Sequence, residues 1–382
     1  MNFAKVTIAS LSAFPLLALT LTACHKQDFP QFPANYREYA YVTNGGSGTV
    51  TVVDVVNVRL DRELAVGQNP VAVASSATRN EVYVVNSGAA NGQGSVSVIN
   101  AENNSVVANI AVRSQPVSIE LDPKSDLGYV ADSGSNAISV IDLKARREIA
   151  LIGAGEEPVF TRLSPDGKTL AVANRHGNSV SLIDPAARTV RAVFPGCPGA
   201  ADAVILPDSS KAFAACSGGH QVMSIALAHA GQPDRLEALM DVGLAPVQLA
   251  LKPDGGELFA VNSVSNSISE VITNTNDVSG ATMMGDNPVR GLVSSDNSML
   301  YVGNLRAQEV TVYAIDEGKR IGSIHVGDGP AALAFSAAGH LLFVVDARSS
   351  DIAVVRTSSR SLFTLLSTGR APNAIAVKAF KL

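Results

Sequence analysis

Six histidines and three cysteines are the residues best suited to metal or nucleophilic chemistry, and their spacing offers little. No two histidines stand in a His-x-x-x-His arrangement and no two cysteines in a paired metal-binding spacing, so no zinc motif is present. The chain also lacks a Gly-x-Ser-x-Gly nucleophile elbow, a P-loop and a dinucleotide Gly-x-Gly-x-x-Gly. Met283-Met284 reads as packing rather than as a metal ligand, and no cofactor is expected. What remains is a set of polar residues in places that other stretches of the chain fill with small apolar ones: Glu120, Arg162, Gln248 and Arg290. A second set, Arg175, His176, His220, Arg306 and Arg348, falls in short turns. Arginines so placed suit an anionic ligand through charge-assisted hydrogen bonds.

The elements that position them follow from a repeat. Tyr41-Val-Thr-Asn44 recurs as Tyr83-Val-Val-Asn86, Tyr129-Val-Ala-Asp132, Leu170-Ala-Val-Ala-Asn174, Phe213-Ala-Ala-Cys216, Phe259-Ala-Val-Asn262, Tyr301-Val-Gly-Asn304 and Phe343-Val-Val-Asp346. Successive copies start 42 or 46 residues apart across the whole of the chain from Tyr41 onward. Each copy holds four short runs of alternating apolar residues rich in Val and Ile, bounded by Gly, Asn, Asp and Pro. In the third copy they are Val117–Leu121, Leu127–Asp132, Ala137–Asp142 and Arg147–Ile152. Such runs are strands, and four of them per unit of this length make a propeller blade. The chain opens on a second-strand motif and closes on a lone first-strand motif, Pro372–Val377. The ring is therefore expected to close by adding that last strand to the first three, which removes free edges.

These motifs resemble the YVTN family of β-propeller repeat proteins. Gly-x-x-Pro at Gly67–Pro70, Gly155–Pro158, Gly285–Pro288, Gly327–Pro330 and Gly369–Pro372 is similar to the family's crossing between blades. Ser164-Pro-Asp-Gly-Lys168 and Lys252-Pro-Asp-Gly255 are similar to its turn after the first strand, and Ser139-Val-Ile-Asp142 and Ser181-Leu-Ile-Asp184 to its third strand. The resemblance implies an all-β, single propeller over residues 39–382. Eight blades is the direct count, with seven as the alternative. It implies fold more than function, because one fold hosts many activities.

Placed on that frame, the repeated Asn or Asp is expected to cap the following turn as an Asx motif. Ser118, Glu120, Phe160, Arg162, Asp202, Gln248 and Arg290 interrupt inner strands that elsewhere carry alanines such as Ala72, Ala74, Ala332, Ala334 and Ala374. Glu120 and Arg162 share one repeat position in neighbouring blades, as an ion pair would. The binding candidates are Glu120, Arg162, Arg175, His176, His220, Gln248, Arg290, Arg306 and Arg348, on the top face and in the channel. Cys197 in a crossing turn and Cys216 in the capping place lie on antiparallel neighbouring strands, and a disulfide between them is expected.

Residues 1–23 read as a signal: Lys5, then the apolar stretch Val6–Leu19, too short for a comfortable membrane span. Leu21-Thr-Ala-Cys24 resembles the lipobox of bacterial lipoproteins, which implies lipid on Cys24 and a tether over 24–38. The expected location is the bacterial cell envelope, lipid-anchored at the outer membrane facing the periplasm or at the cell surface, with the membrane touched through the anchor alone. Net charge is −5 with no basic block, which argues against nucleic acid as a partner. The expected role is a monomeric, envelope-anchored binding scaffold for a small ligand, peptide or protein, and more a binder than an enzyme. The alternative is a propeller enzyme or cofactor carrier, lactonase-like or of the haem-d1 type, with Glu120 and His176 or His220 at the channel mouth.

Overall fold

The computed structural model describes residues 30–90, 92–229 and 231–382. Its strands form eight four-stranded antiparallel sheets, each running in chain order from an inner to an outer strand. The exception is the closing sheet, where Pro372–Lys381 is the inner strand of Tyr36–Asn44, Thr49–Asp54 and Arg59–Ala65. The eight-bladed ring read from the repeat is therefore the observed one. Blades are numbered here from the closing blade, so blade 3 begins with Pro116–Asp122, blade 5 with Ala200–Ile205 and blade 8 with Pro330–Phe335. The first strand starts at Tyr36, so residues 36–38, expected in the tether, belong to the sheet. Cys24 and the signal segment lie outside the described residues.

Buried cores fill the spaces between adjacent sheets, as the alternation of apolar residues requires. The aromatic residue that opens most repeats sits in these cores: Tyr41, Tyr83, Tyr129, Phe213, Phe259 and Phe343 are fully buried. Blade 1 is held by paired backbone from Tyr36↔Lys381 to Thr43↔Ala374. It also sends a buried charge to each neighbour. Lys378 Nζ donates to Ser76 O of blade 2 at 2.6 Å, and Glu38 Oε1 accepts from Ala337 N of blade 8 at 2.6 Å. Groups so buried must find such partners or forfeit their hydration.

At the top edge the repeated Asn does something other than cap its turn. The turn is closed by backbone, as in Gly48 N to Asn44 O at 3.0 Å. The side chain instead ties the second strand to the third: Asn262 Nδ2 donates to Ser267 Oγ at 3.3 Å and Ser269 Oγ at 3.0 Å, and Asn44 Nδ2 to Thr49 and Thr51 Oγ1 at 3.0 and 2.9 Å. The Asx expectation is corrected here, because the side chain is buried beneath the crossing loop rather than turned along its own backbone. That loop's glycine explains the crowding. A Cβ on Gly67 would lie 2.5 Å from Asn86 Cγ, and one on Gly155 2.6 Å from Asn174 Cγ. The two repeat motifs are thus the two sides of one contact.

Three blades build that contact differently, and in blade 3 Arg113 takes the glycine's place and Asp132 the asparagine's. In blade 5, Cys197 holds the glycine's place and Cys216 the asparagine's, and they are joined as a disulfide with Cα atoms 4.7 Å apart. In blade 8, Gly327 N donates to Asp346 Oδ2 at 3.0 Å, while Asp351 stands where blade 6 has Ser267. Asp346 is fully buried, and its carboxyl is pushed up to about 8 by burial and by the facing Asp351 carboxyl.

Candidate functional site

Inner strands start at the top face, below the Gly-x-x-Pro crossing, and line the central channel. A cavity of about 550 Å³ opens among them and touches all eight blades. Its walls differ around the ring. Blades 8, 1 and 2 present Ala332, Ala374, Ala72 and Ala74, whereas blades 3, 4, 5 and 7 present Ser118, Glu120, Phe160, Arg162, Asp202 and Arg290.

The polar wall has a rule. The third residue of one inner strand reaches the fourth residue of the next, across the gap between neighbouring sheets. Ser118 Oγ lies 3.4 Å from Thr161 Oγ1, Asp202 Oδ2 accepts from Leu249 N at 2.8 Å, and Gln248 Oε1 accepts from Gly291 N at 2.8 Å. Arg290 holds the same place in blade 7 but has no acceptor to offer. Its side chain makes no hydrogen bond or ion pair with any described residue and is left facing the cavity.

Two carboxyls share this wall. Asp202 is buried, and burial raises its carboxyl, an effect opposed by the N–H of Leu249 and the charges of Arg162 and Arg290. Glu120 is likewise raised by burial, with Arg162 pulling it down. Arg162 Nη1 lies 3.5 Å from Glu120 Oε2, and its guanidinium sits 5.3 Å from the centre of the Phe160 ring.

The structure brings Glu120, Arg162 and Arg290 into one cavity. Gln248 lies on the same wall but faces a second, deeper opening, which it shares with Arg162. The rim residues do not converge. Arg175 and His176 lie 3.4 and 3.2 Å from Glu157 of the adjacent crossing loop, and Arg348 lies 3.5 Å from Asp328 of another. His220 Nδ1 accepts from Ala245 N at 3.2 Å, and Arg306 is exposed. None of these five lines the cavity. Ser118, Phe160 and Asp202, which the sequence places among the inner-strand interruptions but not among the binding candidates, do line it, and so does Asn373, which the sequence did not single out. Asp202 shares its repeat place with Gln248 and Arg290. Asn373 replaces a small apolar residue found in the other inner strands, donates to Pro70 O at 3.0 Å and accepts from Thr43 Oγ1 at 2.6 Å. No group of three metal-ligating side chains occurs among the described residues.

An eight-bladed β-propeller with a cavity at its upper mouth defines the class. The YNCE-like beta-propeller family matches residues 129–355, over half of the chain, and the chain belongs to that family. No curated protein matches the sequence. Among solved structures, the dihydro-heme d1 dehydrogenase NirN in complex with DHE aligns with a TM-score of 0.72 at 13% identity, covering 91% of this chain and 76% of that one. Apo AztD from Citrobacter koseri aligns at 0.68 and 13%, covering 90% and 98%. A putative 6-phosphogluconolactonase from Bacteroides uniformis aligns at 0.62 and 13%, covering 90% and 99%. At such identities the likeness is one of fold.

Proposed function

We propose that this propeller is a binding scaffold whose upper mouth holds a small anionic ligand, carried on an envelope lipoprotein anchored through Cys24. The observation that carries the reading is Arg290, a guanidinium with no hydrogen bond or ion pair to any described residue, aimed into a cavity with an uncharged alanine wall opposite. A concave site with a few converging polar groups is the usual form of a small-molecule site. Fold neighbours as different as AztD, NirN and a lactonase-like protein support a scaffold or binding role. The carrier alternative has less support, because His176 and His220 stand on the rim and no histidine lines the cavity.

A thermal-shift screen of small anions tests the reading, since a ligand of the native state raises the melting temperature. Arg290→Ala is expected to leave folding intact and weaken binding by about 1.5–3 kcal/mol, as for a lost charge-assisted hydrogen bond. An anion whose effect is unchanged by that substitution binds elsewhere and overturns the site. For the anchor, Cys24→Ala is expected to abolish cleavage before residue 24 and the lipid mass on it, and a variant still cleaved at that bond and retained in the membrane fraction would refute it.

A further inference from the structure

The cavity that holds Arg290 contains two carboxyls, Glu120 and Asp202, and two guanidinium groups, Arg162 and Arg290; no other lining residue is charged. With all four ionised the wall is neutral. An incoming anion would leave it one charge negative in a space partly withdrawn from water, which is unfavourable. One proton removes the excess.

Geometry decides which carboxyl takes it. Asp202 accepts backbone N–H from Leu249 at 2.8 Å and from Ala203 at 2.9 Å, one on each oxygen, and both bonds favour the carboxylate. Glu120 is faced from blade 4 by Arg162 at 3.5 Å, wider than a normal N–H to oxygen bond, and by the Leu163 N–H; blade 2 presents Ala72 and Ala74. Glu120 is thus the less firmly held anion. Burial has already raised it above the usual carboxylate range.

Resting on the anion-site reading above, we propose that the cavity takes up a small monocarboxylate together with one proton on Glu120. Neutralising Glu120 frees Arg162 to join Arg290 on the ligand carboxylate. The ligand's apolar body lies against the alanines of blades 8, 1 and 2. A single proton leaves the wall with one positive charge, which matches a monoanion and falls short of a dianion.

Titration calorimetry of the whole chain with benzoate, hexanoate, succinate and inorganic phosphate, from about pH 5.5 to about pH 8.5 in buffers of different ionisation enthalpy, tests this. The monocarboxylates are expected to bind with uptake of one proton and to weaken about tenfold per pH unit above the Glu120 transition. Glu120→Gln should bind at the alkaline end as the wild type does at the acidic end, with no proton uptake. Binding that is lost in Arg290→Ala but shows no proton uptake would overturn the coupling while leaving the anion site standing. Uptake that survives Glu120→Gln and disappears in Asp202→Asn would overturn the assignment to Glu120. Preference for succinate or phosphate would overturn the ligand class, and failure of all four to bind the wild type would overturn the site itself.

Discussion

Blade 5 and blade 8 answer the same structural demand with opposite chemistry. At that place most blades bring a crossing-loop glycine against a buried asparagine, whose amide spans to hydroxyls on the third strand. Blade 5 replaces both partners with cysteine and makes the link covalent. Blade 8 keeps the glycine but turns the donor into Asp346 and faces it with Asp351, while Ala353 stands where a hydroxyl would be. Two carboxyls that close cannot comfortably both ionise, so one must keep a proton. What the position requires is a bridge between loop and sheet, and the chemistry of that bridge is open to substitution.

The largest test of that comparison is at blade 5. Cys197→Ala with Cys216→Ala should lower stability by about 3 kcal/mol, read from denaturant melts, because the bridge closes a loop of roughly twenty residues. Cys197→Gly with Cys216→Asn should not recover the loss, because Gln221 and Met223 stand where other blades offer hydroxyls to the asparagine amide. An alanine pair that melts like the wild type would show that the bridge is dispensable. Next comes an ordinary blade: Asn262→Ala removes both amide hydrogen bonds, leaving Ser267 with Ser265 and Ser269 with Gly243 N, and should cost about 2 kcal/mol by the same measurement.

Blade 8 should move the other way. Asp346 is protonated in the folded chain up to about pH 8, whereas in the unfolded chain it ionises near its ordinary value of 3.8. The native state thus holds the extra proton between those values. The Asp346 contribution to stability therefore falls as pH rises through that window, and levels off above it. Asp346→Asn restores a donor toward Asp351 and should stabilise the protein by about 1 kcal/mol at alkaline pH, with a flatter pH profile. A wild-type profile as flat as the variant's would remove the shared proton. The smallest effect is expected at blade 3. There Asp132 accepts both the N–H and the hydroxyl of Ser139, at 3.1 and 2.6 Å, and an amide oxygen can take over both. Asp132→Asn should stay within about 0.5 kcal/mol.

The strand count, the blade boundaries and the closing strand were legible because the period of the repeat and the order of its motifs are one-dimensional facts. The Cys197–Cys216 bridge was legible for the same reason, since both cysteines stand in motif positions. The link from Gly-x-x-Pro to the asparagine was not, because nothing in the spacing says that a loop glycine and a strand asparagine touch. The site was half legible. Repeat-breaking residues singled out Glu120, Arg162 and Arg290, but treating every charge near the top as one group brought in Arg175 and Arg348, whose partners Glu157 and Asp328 lie in adjacent crossing loops. Asp202 is the converse case, a residue whose neighbours at the same register carry its meaning.

The closing blade leaves Asn35 and Leu382 side by side, with Leu382 N donating to Asn35 O at 2.9 Å and Asn35 Nδ2 to Leu382 O at 3.2 Å. A short peptide joining these two points would complete a covalent circle without moving a strand. The chain could then be cut at another crossing, such as the loop between Gly155 and Pro158. Such a circular permutant would begin on the inner strand of blade 4 and end on the outer strand of blade 3, so no blade would be shared between its ends, and the channel wall would keep its present order. The ring would then have no privileged beginning, only the opening that the chosen cut makes.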